Sequence, residues 1–315
     1  MPPSTVLEQV PTLSLAKLDA PDFAQAIGGS FREFGFAIVV DHGIPDELIA
    51  RGWKLAKAFF ALPEEAKRAY LVPGGGGQRG YTAFGTEIAK GASENDLKEF
   101  WHVGRDLPEG DPLSADMAPN VWPSEIEGFH ETFAALYDAF DAAGARILSG
   151  VAIYLGLPAD WFDSRIENGN SILRLLHYPP VSADAPGVRA GAHEDINLIT
   201  LLAGAEEGGL ELKTRAGEWI PVTPPPGGLA INVGDMLQRL TNHMLPSTSH
   251  RVVNPPVERR HIARYSMPFF LHLRPDVMIE ALPQCVTSDN PLREPPISAH
   301  DYLHERLREI GLKKG

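Results

Sequence analysis

The pattern that most constrains this chain is a change of texture near residue 170. Before it, apolar residues recur at helical spacing. In PDFAQAIGGSFREFG, Phe23, Ile27, Phe31 and Phe34 fall on one face. In PDELIARGWKLAKAFFAL, Leu48, Ile49, Trp53, Ala56, Phe59 and Phe60 share a face, and Pro45 suits a first helical turn. A third stripe runs from Ile126 to Tyr154. Ser124 and Glu127 have capping-box spacing, so this long helix is expected to begin at PSEIEGF. FAIVV reads as a short buried strand. After the change, runs rich in strand formers alternate with Gly, Pro and Asn: SILRLLHY, NLITLLAG, GLELKT, EWIPV, GGLAINVGD, MLQRLTN, STSHRVV and HIARYSMPFFLHL. That spacing predicts an antiparallel sandwich or barrel. The tail, SAHDYLHERLREIGLKKG, reads as an amphipathic helix with basic residues at its C-terminal end, as the helix dipole favours.

Segregated helices and strands could form two domains or one. No Ser/Pro-rich linker parts the halves, so one domain over residues 1–315 is expected. Within it, a mainly helical region covers about 10–165, a β-rich core about 170–275 and a terminal helix about 296–313. The net charge of -13 argues against a nucleic-acid or anionic-membrane partner. No apolar stretch is long enough to span a bilayer and no signal peptide is evident, so a cytoplasmic protein is the default. The single cysteine, Cys285, permits no intrachain disulfide, which fits a reducing compartment; it reads as a packing or surface residue. The glycine run Gly74 to Gly77 implies a flexible loop, and it lacks the Lys-Ser/Thr ending of a phosphate-binding loop.

The chemistry is concentrated in GAHEDINLITLL, Gly191 to Leu202. Residues i and i+2 of a strand share a face, so His193 and Asp195 are expected to project together, with Glu194 on the opposite face and not a ligand. A second histidine would complete a facial triad of two His and one carboxylate, which suits non-heme Fe(II) because it leaves three coordination positions open. Candidates are His177, His243, His250, His261 and His272; His250, in the β-branched run STSHRVV, is the best placed, and His243 reads as a surface residue in a turn. Taken alone, His-x-Asp is a weak pattern that occurs by chance, and it reads as a hydrogen-bonded pair at a strand end. Arg264 and Ser266 add a second constellation. They also share a strand face, and an arginine fork beside a hydroxyl can clamp a carboxylate. HIARYSMPFFLHL is too apolar for a solvated edge, and a buried arginine needs an anionic partner.

His193-x-Asp195, His250 and Arg264-x-Ser266, in that order, resemble the isopenicillin-N-synthase-like group of Fe(II)/2-oxoglutarate-dependent oxygenases. So do FREFGFAIVVDHGIPDELI, AKAFFALPEEAKRAY, GYTAFG with DLKEFWHVG, LRLLHYPP, GGLEL, INVGDMLQRLTN and STSHRVVNPP, over roughly residues 10 to 275. The resemblance implies a mixed α and β protein with a double-stranded β-helix (jelly-roll) core and a helical N-terminal half packed around it. It implies that His193, Asp195 and His250 hold Fe(II), that Arg264 and Ser266 bind the C5 carboxylate of 2-oxoglutarate, and that Tyr178 adds a hydrogen bond there. Two positions depart from the pattern: Leu176 stands where some members carry an asparagine near the C1 carboxylate, and His243 where many carry glycine.

The implied reaction uses Fe(II), 2-oxoglutarate and O2 to oxidise a small molecule, most simply by hydroxylation, with release of succinate and CO2. Ring closure, desaturation or another oxidase outcome within the family, or a jelly-roll Zn/Mn hydrolase or isomerase, are the alternative readings. Substrate contacts are expected at Arg79, Tyr81 and Phe270. Phe84, Glu99, Trp101 and His102 are further candidates, and the Gly74–Gly77 loop could act as a lid.

Overall fold

The computed structural model describes residues 9–20, 22–73, 77–87, 95–182, 187–204 and 207–309. In chain order, the N-terminal part supplies β1 (Thr12–Ser14), α1 (Phe23–Phe34), β2 (Phe36–Val40), α2 (Asp46–Phe60), α3 (Glu64–Arg68), β3 (Gly80–Thr82), β4 (Glu99–Gly104) and the long α4 (Phe129–Tyr154). The rest supplies α5 (Asp163–Ile166), β5 (Ile172–Tyr178), β6 (Ala190–His193), β7 (Ile199–Ala203), β8 (Leu210–Lys213), β9 (Trp219–Pro221), β10 (Leu229–Val233), α6 (Asp235–Leu240), β11 (His250–Val252), β12 (Arg264–Leu271), β13 (Met278–Ile279), β14 (Ile297–Ser298) and α7 (Ala299–Glu309).

Two sheets face each other as a jelly roll. The large one has the order β1-β2-β10-β7-β12-β5-β4-β3, and the small one β6-β11-β8-β9. Four strands of the large sheet thus come from the N-terminal part. Sequence periodicity found only β2 there, because β3 and β4 mix polar and apolar residues that are all buried.

The two faces of the large sheet have different partners. Leu201, Phe269, Leu173 and Val103 point outward into a core shared with α4. Tyr137 and Phe140 of α4 meet Phe269 at ring-centroid distances of 5.1 and 5.8 Å. Phe36, Ile38 and Ala230 point inward and pack with Leu210, Leu212 and Val252 of the small sheet. Strand alternation sorts the residues between the two layers.

Three local expectations are corrected. The long helix starts at Phe129, not at Ser124. Gly128 holds φ 75, a left-handed conformation outside the helix, and the Ser124 backbone N–H donates to the Tyr70 hydroxyl instead of joining a capping box. MLQRLTN is helical over α6, where Met236, Leu237 and Leu240 bury one face. The helix ends where Asn242 and His243 take φ 48 and 65, and the Asn242 amide bonds carbonyls of Cys285, Asn290 and Pro291. Pro45 is the residue before α2, not in its first turn. Cys285 is buried with a free thiol, and the basic end of the tail beyond Glu309 lies outside the described residues.

Candidate functional site

His193 closes β6 and His250 opens β11, and the two are direct cross-strand partners in the small sheet. Their rings lie 4.4 Å apart between centroids. Asp195 is not in the strand: β6 ends at His193, and Asp195 sits in the turn that carries the chain across to β7 in the large sheet. The shared-face argument for the i, i+2 spacing is therefore replaced by a different cause. The strand end places the imidazole, and the crossover turn swings the carboxylate back beside it. Strand alternation does not govern Glu194 either; it lies exposed on the cavity wall and outside the ligand group.

One ligand atom from each of His193, Asp195 and His250 lies within 4.8 Å of the other two. Asp195 Oδ1 is 3.8 Å from Nε2 of both histidines. The remaining polar atoms are occupied. His193 Nδ1 contacts the Gly191 carbonyl at 2.7 Å and His250 Nδ1 the Thr248 carbonyl at 3.0 Å, so each ring donates backward and presents Nε2 to the centre. Asp195 Oδ2 accepts from Thr200 Oγ1 at 2.6 Å and from Asn232 Nδ2 at 2.7 Å. Burial pushes the Asp195 carboxyl up, but the facing His250 and His193, with the Asn232 and Thr200 bonds, hold it below its ordinary value. Burial in the cavity wall, and then the neighbouring His250, push His193 down to about 4. With both Nδ1 atoms turned to backbone carbonyls, the group presents two imidazole Nε2 atoms and one carboxylate oxygen to a common centre. Those donors fit a divalent transition metal with open positions.

The other histidine candidates lie elsewhere. His177 bonds Glu99 at 2.7 Å on the outer face, His243 meets Glu294 at 3.2 Å, and His261 is exposed. His272 lines the cavity but is not in the ligand group.

The register of the large sheet explains how the site is assembled. Phe36, Asn232, Thr200, Phe270, Ile172 and Gly104 pair successively across β2, β10, β7, β12, β5 and β4, so they form one inward row. Phe36 meets His250 edge-on at 5.5 Å, and Asn232 with Thr200 orients Asp195. Sequence reasoning missed both polar residues. The available signal was a lone Thr and a lone Asn inside the apolar runs ITLLA and LAINV.

Deeper along β12, Arg264 and Ser266 lie on the same inward face, both buried, with Arg264 Nη1 donating to Ser266 Oγ at 3.1 Å. Arg264 Nε donates to the Glu207 carbonyl at 3.1 Å, which aims the fork. Tyr178 is the cross-strand partner of Arg264, with its ring 5.0 Å from the guanidinium carbon. Leu176 and Phe100 complete an apolar wall there.

A cavity of about 850 Å³ opens on the triad. Arg79, Phe270 and His102 line it. Tyr81 reaches its wall, but the Tyr81 hydroxyl donates to Glu99 and its ring packs on Phe59, so the side chain belongs to the outer layer. Glu99 and Trp101 alternate with His102 along β4 and face outward with Tyr81. Phe84 is exposed and off the cavity. Of the glycine run, Gly74–Gly76 lie outside the described residues; Gly77 lines the cavity and its carbonyl is bonded by His102 Nδ1. The cavity wall also carries buried charges that sequence reasoning missed. Glu87 bonds Arg174 at 3.2 Å and Lys98 at 2.8 Å, and Lys98 also meets Asp96 at 2.8 Å.

A jelly roll with a His-Asp-His group at its mouth and a buried Arg-Ser pair inside defines a non-heme iron oxygenase. Comparison with known proteins agrees. Residues 10–125 match the N-terminal model of non-haem dioxygenases in morphine synthesis, and residues 169–273 match the 2OG-Fe(II) oxygenase superfamily. A 2-oxoglutarate-Fe(II) type oxidoreductase of Aspergillus fumigatus is 34% identical over 87% of this chain and 83% of its own length. A solved 2OG-Fe(II) oxygenase family protein from Caulobacter crescentus is 54% identical, with TM-score 0.89 over 96% of this chain and 99% of that one. A full-length Neurospora crassa protein, solved in complex with alpha-KG and thymine, is 31% identical with TM-score 0.85, over 95% of this chain and 96% of that one. The chain belongs to the 2OG-Fe(II) oxygenase superfamily. It is an oxidoreductase that uses Fe(II), 2-oxoglutarate and O2. Among the described residues, no helix is long and apolar enough to cross a membrane.

Proposed function

We propose that His193, Asp195 and His250 hold the Fe(II), and that Arg264, Ser266 and Tyr178 bind the C5 carboxylate of 2-oxoglutarate. The substrate is a small molecule that enters the 850 Å³ cavity, is touched by Arg79 and Phe270, and is hydroxylated. The observation that carries this reading is the division of labour at each side chain. In all three candidate ligands one polar atom is tied by the protein and the other faces a common centre. Bound Fe(II) with O2 supplies the oxidative decarboxylation of 2-oxoglutarate to succinate and CO2, coupled to oxidation of the substrate. The chain's part is to orient and shield. Thr200 and Asn232 fix the Asp195 carboxylate; Phe36 and Phe270 keep the inner row apolar on either side of it. Arg264 is a buried cation whose burial depresses its proton affinity, which a bound carboxylate would relieve.

The same reading treats residues 1–315 as one folding unit, since β1 to β4 of the N-terminal part share the large sheet with the iron-side strands. It places the protein in the cytoplasm, where a lone buried thiol and ferrous iron both stay reduced. The test is Fe(II)-dependent release of succinate from 2-oxoglutarate. Arg264→Met should raise the KM for 2-oxoglutarate by about 10- to 100-fold, the range for a lost charge-assisted bond. An unchanged KM would remove Arg264 from the cosubstrate site.

A further inference from the structure

Four cations line the cavity among the described residues, and three of them are neutralised. Lys98 meets Glu87 and Asp96, Arg174 meets Glu87, and Arg306 meets Glu305 and Glu309. Arg79 is the exception. It is 2% exposed, and its one hydrogen bond runs from Nη1 to the Gln78 carbonyl at 2.7 Å. Nε and Nη2 are buried with no partner. These two N–H groups form one edge of the guanidinium fork. Two other arginines of this chain hold carboxylates by that edge: Arg259 with Glu207 and Arg274 with Asp276.

The position of Arg79 is built into the sheet. Its guanidinium occupies the place of the missing side chain at Gly104; a Cβ there would lie 1.8 Å from Arg79 Cζ. Gly104 is the far end of the inward row that contains Asn232 and Thr200. From Thr200 to Gly104 is three strand spacings, roughly 14 Å along the sheet. Ile172 and Phe270 lie between and are apolar, and the Arg174 guanidinium 5.2 Å over the Phe270 ring is already paired with Glu87. A buried guanidinium with its fork unfilled, across an apolar floor from the metal group, is complementary to a molecule with an apolar body and a carboxylate at one end.

We infer that Arg79 anchors a carboxylate at the end of the substrate remote from the carbon that is oxidised, so that the natural substrates are small carboxylic acids. This rests on the reading of the cavity as the substrate site. Fe(II)-dependent succinate release without any added acid reports on the iron and cosubstrate assignment separately.

The experiment is thermal unfolding of the Fe(II)- and 2-oxoglutarate-loaded protein without O2. It is run with straight-chain and phenyl-terminated acids of about eight to twelve carbons, chosen to span the row, and with the methyl ester of each. Acids should raise the melting temperature by about 2–6 °C and bind about 10- to 100-fold more tightly than their esters. Arg79→Met should erase that difference while melting no lower than the wild type, because it removes an unpaired buried charge. Arg79→Lys keeps the charge without the fork and should bind the acids about tenfold more weakly. Equal shifts from acids and esters, no shift from any acid, or an acid preference unchanged in Arg79→Lys or Arg79→Met would overturn the inference.

Discussion

Thr200 and Leu201 are adjacent in β7 and point to opposite faces of the large sheet. Leu201 is sealed against α4 with Phe269 and Leu173. Thr200 faces inward and donates to Asp195. Each central strand repeats the division: Asn232 against Ile231 in β10, Phe270 against Phe269 in β12, Ile172 against Leu173 in β5. The outward residues secure the sheet to the helical layer. The inward ones orient the metal group, floor the cavity and seat Arg79. Fold stability and chemistry are thus carried by alternate residues of the same strands, and they should be separable by mutation.

The largest expected effect on stability is on the outer face. Phe269→Ala opens a cavity between two aromatic rings of α4 and should cost about 3–5 kcal/mol, measured by denaturant unfolding. Iron affinity of the folded fraction should be close to wild type. A large loss of affinity without a loss of stability would mean the two faces are not independent. On the inner face the pattern should invert. Asn232→Leu keeps the volume and removes one of the two donors to Asp195 Oδ2. It should weaken Fe(II) binding by about 10- to 100-fold, read by metal titration, with only a small change in melting temperature.

A smaller effect concerns His272, just past the end of β12 and on the cavity wall. Burial pushes its imidazole down to about 4, with Asp195 opposing the shift. The unfolded chain takes up this proton near the ordinary value of 6.5, while the folded protein refuses it until about 4. Stability is therefore full above pH 6.5 and falls as pH drops toward 4. In metal-free protein, His272→Gln should flatten the decline of melting temperature over that window. An identical slope in the variant would show that this proton is not refused.

Much of this was legible in the sequence because it depends on local order. His193, Asp195 and His250 follow one another with Arg264 and Ser266 in a pattern that only a folded site explains. The strand-forming runs located β5 and β7 to β12 because period-2 and apolar signals are strong there. What was not legible depends on register and on turns. No local rule shows that β6 stops at His193, or that Asn232 and Thr200 become neighbours across two strands. No local rule marks Gly104 as the place a guanidinium fills; that shows only in the folded chain. MLQRLTN is ambiguous because seven residues with three apolar ones fit either period.

The central claim is that the carboxylate of Asp195, and not its acidic neighbour, completes the metal group. The direct measurement is bound iron per chain, by anaerobic Fe(II) titration of Glu194→Gln and Asp195→Ala beside the wild type. Wild-type iron binding is expected in Glu194→Gln and none in Asp195→Ala. Iron retained in Asp195→Ala, or lost in Glu194→Gln, would contradict that claim.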